Sequence, residues 1–437
     1  MSDLGIWFLV VGAILVSMAL VGSVVKRLPF TPAILYLGFG YALGAWGTGL
    51  HPVVNAGVLR ALTEVGVSIS LFAVGLKLRS PLKLRNWTVP LRLGLPAMVV
   101  TIAILAAAAW LICGLPWGMA LILAAILAPT DPVLGSDVQV EKPGDGDSVR
   151  FGLTAEGGMN DGTAYPVVYL GLGLVGLHDL GPFGLRWFLV ETLWFIVGGT
   201  AIGWLVSRCI ARLVLYLRST RAMAVGMEEF LGFGIIGLAF GLAGLLEASE
   251  FLAVFAAGVA FRQVERHASL SAGVNPARLA VAINDEKTAT HPQRAAVHLT
   301  ETVLAFNSQA EHIAELALVA VLGSLLATIS LEWQAFALAA VLFLVARPLA
   351  VVATLAGTRA TRIQTGLIAW FGIRGIGCLY YLAVALQAGI GEPYASELAS
   401  LSLTVIALSI LVHGMSATPL MHLYTRTLGR RIAPRQR

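Results

Sequence analysis

Apolar residues run along this chain in stretches of about twenty, separated by short polar segments. Twenty helical residues span about 30 Å, the hydrocarbon thickness of a bilayer. Strands of a membrane barrel would alternate apolar and polar positions, and these stretches do not. The pattern predicts an all-α, polytopic membrane protein of about thirteen transmembrane helices. The expected spans are 4–25, 31–50, 58–76, 93–113, 117–136, 152–177, 187–206, 226–246, 250–263, 310–328, 333–354, 363–388 and 395–420. The first has an acid ahead of it and Lys26-Arg27 behind it, and is long enough to be a span rather than a cleaved leader. The longest polar segment, from about Arg262 to Gln309, reads as an inside loop. It holds Asn284-Asp285-Glu286-Lys287 with His267, His291 and His298. Two readings stay open for it, a linker between helical groups or a regulatory, pH-sensing segment.

Composition agrees with this pattern. Of 437 residues, 58% are hydrophobic and only 12% charged, against about 25% charged in soluble chains. The net charge of +5 forms no patch suited to nucleic acid. The basic residues instead cluster in alternate loops: Lys26 and Arg27; Lys77, Arg79, Lys83 and Arg85; Arg208, Arg212, Arg218 and Arg221; Arg359 and Arg362; and a tail with Arg426, Arg430, Arg431, Arg435 and Arg437. By the positive-inside rule this places the amino terminus outside and the carboxy terminus in the cytoplasm, in a cell inner membrane, with an odd number of spans. Cys113, Cys209 and Cys378 are far apart in sequence, which predicts neither disulfides nor a metal cluster.

Ionisable residues inside the spans are the candidate chemistry, because each costs about 2.5–3.5 kcal/mol to insert at mid-membrane. Span 5 runs into Ala128-Pro129-Thr130-Asp131-Pro132. Two prolines around an acid should break the helix near Thr130 and leave carbonyls and a carboxylate facing a cation. The alternative is that the span ends there and Asp131 merely caps it. Span 6 carries Glu156, Asn160 and Asp161. Glu156 and Asn160 share a face, while Asp161 is turned by about 140° from Glu156 and shares its side with Gly157. Arg347, before Pro348 in span 11, needs an acid, and Glu156 is the natural one, leaving Asp161 free to trade a proton for a metal ion. Span 12 carries Gly372-Ile373-Arg374-Gly375-Ile376-Gly377, a second expected interruption around a buried arginine. Breaks at matching places in two halves, spans 1–6 and 8–13 with span 7 between, predict two inverted repeats with two interrupted crossing helices. Glu64, Glu228, Glu229, Glu311 and Glu315 lie near span ends, where snorkelling would suffice. Gly40 with Gly44, and Gly237 with Gly241, have the spacing of close helix packing, a spacing that also arises by chance in so glycine-rich a chain. The chain lacks GxxxxGK[ST], HExxH and GxSxG, which argues against an ATP-driven motor and against an enzyme.

Thr130-Asp131-Pro132, Glu156 with Asn160-Asp161-Gly162, Arg347-Pro348 and Gly372-Ile373-Arg374-Gly375 together resemble the NhaP-type sodium/proton antiporters of the monovalent cation/proton antiporter superfamily. The resemblance covers nearly the whole chain in span order. It implies the NhaA/NhaP-like antiporter fold and a homodimer in the lipid bilayer, with no cofactor. It implies a dimerisation domain at 1–92 and 226–330, the latter including the inside loop 264–309. A core ion-transport domain would occupy 93–180 and 331–425, with a linker helix at 181–225 and a basic tail at 426–437. Asp161 would bind the transported Na+ or H+ in competition, Asn160 would steady the site and mark electroneutral exchange, and Thr130 and Asp131 would complete the metal's coordination. Glu156 and Arg347 would form a structural ion pair, and Arg374 would hold the crossing. Two departures bear on the ion: Gly157 stands where relatives often have serine, and Phe72-Ala73-Val74-Gly75 lacks an acid many relatives place before the glycine. They leave K+ or Li+ as alternatives to Na+, and a cation-conducting channel on the same scaffold as the rival reading.

Overall fold

The computed structural model describes residues 30–45, 56–135, 138–140, 145–221, 226–274, 286–291 and 293–432, with Gly12, Val16 and Met223. The expected span 4–25 lies otherwise outside the described residues, as do Asn284-Asp285 and the last five residues. All described regular structure is helical. In chain order the helices are α1 (Pro32–Ala45), α2 (Ala56–Lys77), α3 (Leu84–Cys113), α4 (Trp117–Leu127), α5 (Ser148–Leu174), α6 (Pro182–Arg221), α7 (Glu228–Leu245), α8 (Glu250–Ser271) and the short α9 (Glu286–Thr290). They continue with α10 (Ala295–Leu326), α11 (Trp333–Leu355), α12 (Arg362–Trp370), α13 (Ile376–Gln387) and α14 (Tyr394–Ile432). The expected spans from 31–50 onward overlap these helices, 363–388 two of them, and among the described residues 7 helices are long and apolar enough to cross a membrane alone. The shorter apolar α1, α4 and α13 fall below that length.

Local sequence explains where several of these begin. The Asp147 carboxylate accepts from the backbone N–H of Val149 and Arg150 at the start of α5, at 2.9 and 3.0 Å. Ser249 accepts from Leu252 N–H at the start of α8, and Thr361 and Gln364 form a reciprocal cap on α12. Such caps satisfy helix-end donors that have no partner within the helix.

The helices fall into two sets of neighbours. One comprises α1, α2, α6, α7, α8 and α10; the other comprises α3, α4, α5 and α11 to α14. The sets meet chiefly where α13 lies on α2 and α5 lies on α8. Close approach in the first set depends on glycine: a Cβ at Gly44 would sit 2.6 Å from Ser324 O, and one at Gly40 would strike the Ala320 backbone. Gly237 and Gly241, with the same spacing in α7, meet no atom within 4 Å among the described residues.

Part of the segment expected as a polar loop, 264–309, is instead helix. It forms the last turns of α8 and the first turns of α10, and buried ion pairs hold it. Arg262 is fully buried, donates to Leu76 O at 2.5 Å, and reaches Glu301 at 2.8 Å and Glu265 at 3.3 Å. Arg79 reaches Glu301 at 2.9 Å. The polar residues that suggested a solvated loop are the partners of these arginines. Snorkelling likewise fails to describe Glu228 and Glu311. Glu228 is buried against Arg218 at 2.6 Å, and Glu311 against Lys77 at 3.2 Å and the Ser70 hydroxyl at 3.0 Å.

Candidate functional site

Helix α4 stops at Leu127, and Ala128 to Asp131 follow outside any helix. Helix α12 stops at Trp370, and Phe371 to Gly375 run non-helically before α13 begins. These two interruptions cross: Asp131 N–H donates to Ile373 O at 2.7 Å. A broken helix exposes a negative carbonyl end and a positive N–H end inside the bundle. Each break supplies the charge that meets the other. Arg374 donates through Nε to Leu127 O, the last carbonyl of α4, at 2.8 Å. Asp131 Oδ2 accepts from Ile376 N–H, the first donor of α13, while its Oδ1 accepts from Val133 N–H at 2.7 Å. Arg374 also donates to Gly372 O, and its backbone N–H to the Ser409 hydroxyl at 2.8 Å. Cys378 adds a contact to Pro129 O at 3.6 Å.

Glu156 and Arg347 meet as a two-pronged pair. Arg347 Nη1 and Nη2 donate to Glu156 Oε1 and Oε2, the second at 2.8 Å. Both residues are buried. Nη2 also donates to Ile368 O at 3.1 Å, near the carboxy end of α12. Arginine thus stands at the carbonyl end of both interrupted helices, Arg374 for α4 and Arg347 for α12.

Asp161 has no such partner. It is 1% exposed, and among the described residues its Oδ1 accepts no hydrogen bond. Beside it Asn160 donates through Nδ2 to the Thr130 hydroxyl at 2.7 Å, while its Oδ1 is also unpartnered. Unpartnered buried oxygens on an acid and an amide are costly in a protein interior, and oxygen donors of this kind suit a hard cation. Thr130, Asn160 and Asp161 are therefore brought together at the crossing. Asp131 is there too, with both carboxylate oxygens already taken by backbone donors. Gly157 lies against Pro132, whose Cβ would be 3.2 Å from a Cβ at that position. The missing side chain makes room for the first break.

Gly377, expected only as part of the break, and Tyr381, not expected at the site at all, complete the surroundings. A Cβ at Gly377 would meet the Asp161 carboxylate, so glycine there lets α13 approach it. Tyr381, one turn further on, donates its hydroxyl to Asp161 O. The i, i+4 spacing of Gly377 and Tyr381 after the expected break was the available signal. Beyond them, Tyr380 packs on Phe251 with ring centroids 4.7 Å apart, and Tyr165 stacks on Phe195 at 4.1 Å.

Two interrupted helices crossing beside a buried, unpaired carboxylate are the build of a secondary transporter. The chain belongs to the family of transmembrane sodium/hydrogen exchangers, whose family model matches residues 13–284 and 289–423. It is 29% identical over 210 residues to Na(+)/H(+) antiporter 2 of Zygosaccharomyces rouxii, covering 46% of this chain and 25% of that protein. It is 27% identical over 247 residues to the Na(+)/H(+) antiporter of Saccharomyces cerevisiae, covering 52% and 25%. The chain thus spans about a quarter of the length of these yeast relatives. Similarity to the K(+)/H(+) antiporter NhaP of Alkalimonas amylolytica extends over 422 residues at 25% identity, covering 96% of this chain and 67% of that one. Among solved structures, the sodium proton antiporter MjNhaP1 from Methanocaldococcus jannaschii shares the fold, with a TM-score of 0.70 at 16% identity over 95% of this chain and 98% of that chain.

Proposed function

We propose that the chain is an antiporter exchanging Na+ for H+, with cation and proton competing for Asp161. The observation that carries this reading is the buried Asp161 Oδ1, unpartnered beside the unpartnered Asn160 Oδ1 at the crossing. A carboxylate so placed is neutral with a proton and neutral with a monovalent cation, but charged with neither. Moving an empty, charged site through a dry barrier costs several kcal/mol, about the penalty of an unpaired buried ion. Either occupied form crosses more easily, and that couples the two flows. Thr130 and Asn160 supply further oxygens for the cation. Asp131 serves first as the cap of α13 and joins the coordination sphere when the crossing rearranges.

Alternating access follows from the two helix sets. The set of α3 to α5 and α11 to α14 carries the site and moves against the other, which forms the contact of a homodimer. On this reading Asp161 is reached alternately from the two ends of the bundle. The amino terminus lies outside an inner membrane and the carboxy terminus inside.

Purified protein in proteoliposomes tests the reading through ion-resolved exchange across a pH series. Asp161→Asn is expected to abolish exchange. In the unmutated chain the apparent cation KM should climb, approaching about tenfold per unit of falling pH, as protons come to occupy the shared carboxylate. Persisting sodium-driven proton movement in Asp161→Asn would end the proposal. A K+/H+ reading is favoured by one observation, the similarity to the Alkalimonas K(+)/H(+) antiporter over 96% of this chain. The same assay with K+ as the only cation separates the two.

A further inference from the structure

A cleft of about 950 Å³ opens at the end of the bundle where the two helix sets meet. One wall comes from the ends of α2 and α8, the other from the starts of α3, α5 and α12. Phe151 lines it, and from there α5 rises about 15 Å to Asp161.

The charges on its walls do not cancel. Lys77 is matched by Glu311 at 3.2 Å and Arg79 by Glu301 at 2.9 Å. Asp145 lines the cleft but is matched by Arg150 at 3.4 Å. That leaves Arg85, Arg266 and Arg359, which also line it and make no hydrogen bond or ion pair among the described residues. The amino end of α12, at Gln364 on the wall, adds partial positive charge of the same sign, while that of α5 is met by the Asp147 carboxylate. Among the described residues the mouth is therefore net positive, a field that gathers anions. Its volume matches sites for small organic ligands, about 300–1,000 Å³, rather than a passage for one ion.

We propose that this cleft binds a phosphate-bearing anion, either a soluble polyphosphate or the headgroup of an acidic lipid, held by Arg266 on one wall and by Arg85 and Arg359 on the other. Guanidinium groups pair with phosphate oxygens through short, charge-assisted hydrogen bonds. The bound anion bridges the two helix sets, ties them together and slows their relative motion. Binding stands independently of the exchange reading; only the slowing rests on it.

The test measures binding to the purified full chain by calorimetry. Inorganic tripolyphosphate is titrated into protein in phosphatidylcholine nanodiscs, and a second arm compares thermal unfolding in phosphatidylglycerol and phosphatidylcholine nanodiscs. Saturable tripolyphosphate binding, weakened at least about tenfold in the combined Arg85→Gln, Arg266→Gln, Arg359→Gln variant, is the result expected for a soluble ligand. A higher midpoint in phosphatidylglycerol alone, lost in the same variant, is the result expected for a lipid headgroup. The control is Arg208→Gln with Arg212→Gln, at a smaller cleft of about 310 Å³, which should change neither. Should the triple variant not fold, the exposed Arg359→Gln alone is read for the same weakening. Absence of both effects, or effects that the cleft variants leave intact, overturns the site. If binding holds, tripolyphosphate or the acidic lipid should slow exchange. Binding without slowing would overturn only the bridging consequence.

Discussion

Two buried acids on one helix, five residues apart, are treated by their surroundings in opposite ways. Glu156 spends both oxygens on Arg347, and removing either partner strands the other's charge in the interior, at a cost of about 3–5 kcal/mol. Asp161 has no basic partner to strand, and its ionised form is a burden on the fold. Glu156→Gln is therefore expected to lower the thermal midpoint sharply, while Asp161→Asn leaves it unchanged or raises it. Cation binding reverses the ranking. Added Na+ should raise the midpoint of the unmutated chain as ligand binding to the folded state does, and should have no effect on Asp161→Asn. Thermal unfolding of both variants with and without Na+ checks this. A strongly destabilised Asp161→Asn would make that acid a structural residue like its neighbour.

The interrupted helices were legible in the sequence because proline and glycine break helices for local reasons. Pro129 and Pro132 remove donors, and Gly372, Gly375 and Gly377 surround Arg374. What the breaks do with their exposed ends was not legible, since it depends on how two distant segments cross. Asp131 was open to reading as cation ligand or as cap, and its present bonds are those of a cap on α13. The pairing of Glu156 with Arg347 could be anticipated, since each is a costly mid-span charge of opposite sign. Glu301 and Glu265 could not be placed, because an acid that serves a buried arginine looks in sequence like an acid in a solvated loop. The same distinction governs glycines within one interrupted span. Gly366, in α12, faces open space, and alanine there should stabilise by about 0.5–1 kcal/mol through helix propensity. At Gly377 the new Cβ would lie 3.1 Å from Asp161 Cγ, so Gly377→Ala should lose exchange and the Na+-dependent thermal shift while still folding. Exchange by Gly377→Ala at the unmutated rate would show that α13 need not approach the carboxylate so closely.

Across the whole molecule, the two halves share a construction beyond their matching breaks. Helix α3 widens into a π-helical turn at Leu93–Ala97, and α11 does so at Leu342–Ala346. Each π turn packs against the other helix just beyond its own, Leu93–Ala97 on Arg347–Leu355 and Leu342–Ala346 on Met98–Cys113. Reciprocal contacts of this kind are what a pseudo-two-fold arrangement produces, and they place both breaks around one crossing. Yet the charges there are not symmetric. Asp131 is satisfied by backbone donors and Glu156 by Arg347, and among the described residues Asp161 keeps an unpartnered oxygen, so on the proposed reading it alone trades a proton for the cation. One proton released for one monovalent cation bound moves no net charge. Exchange by the reconstituted protein should therefore be insensitive to membrane potential. A net charge moved per cycle would feel about 2.3 kcal/mol per 100 mV, enough to shift the final ion gradient by roughly fiftyfold. Imposing such a potential with valinomycin and a K+ gradient, with Na+ as the exchanged cation, distinguishes the cases. A gradient that follows the potential would require a second proton per cycle. Asp131 would then be its carrier, giving up its cap on α13 at each turn, and Asp131→Asn should restore insensitivity in whatever exchange remains.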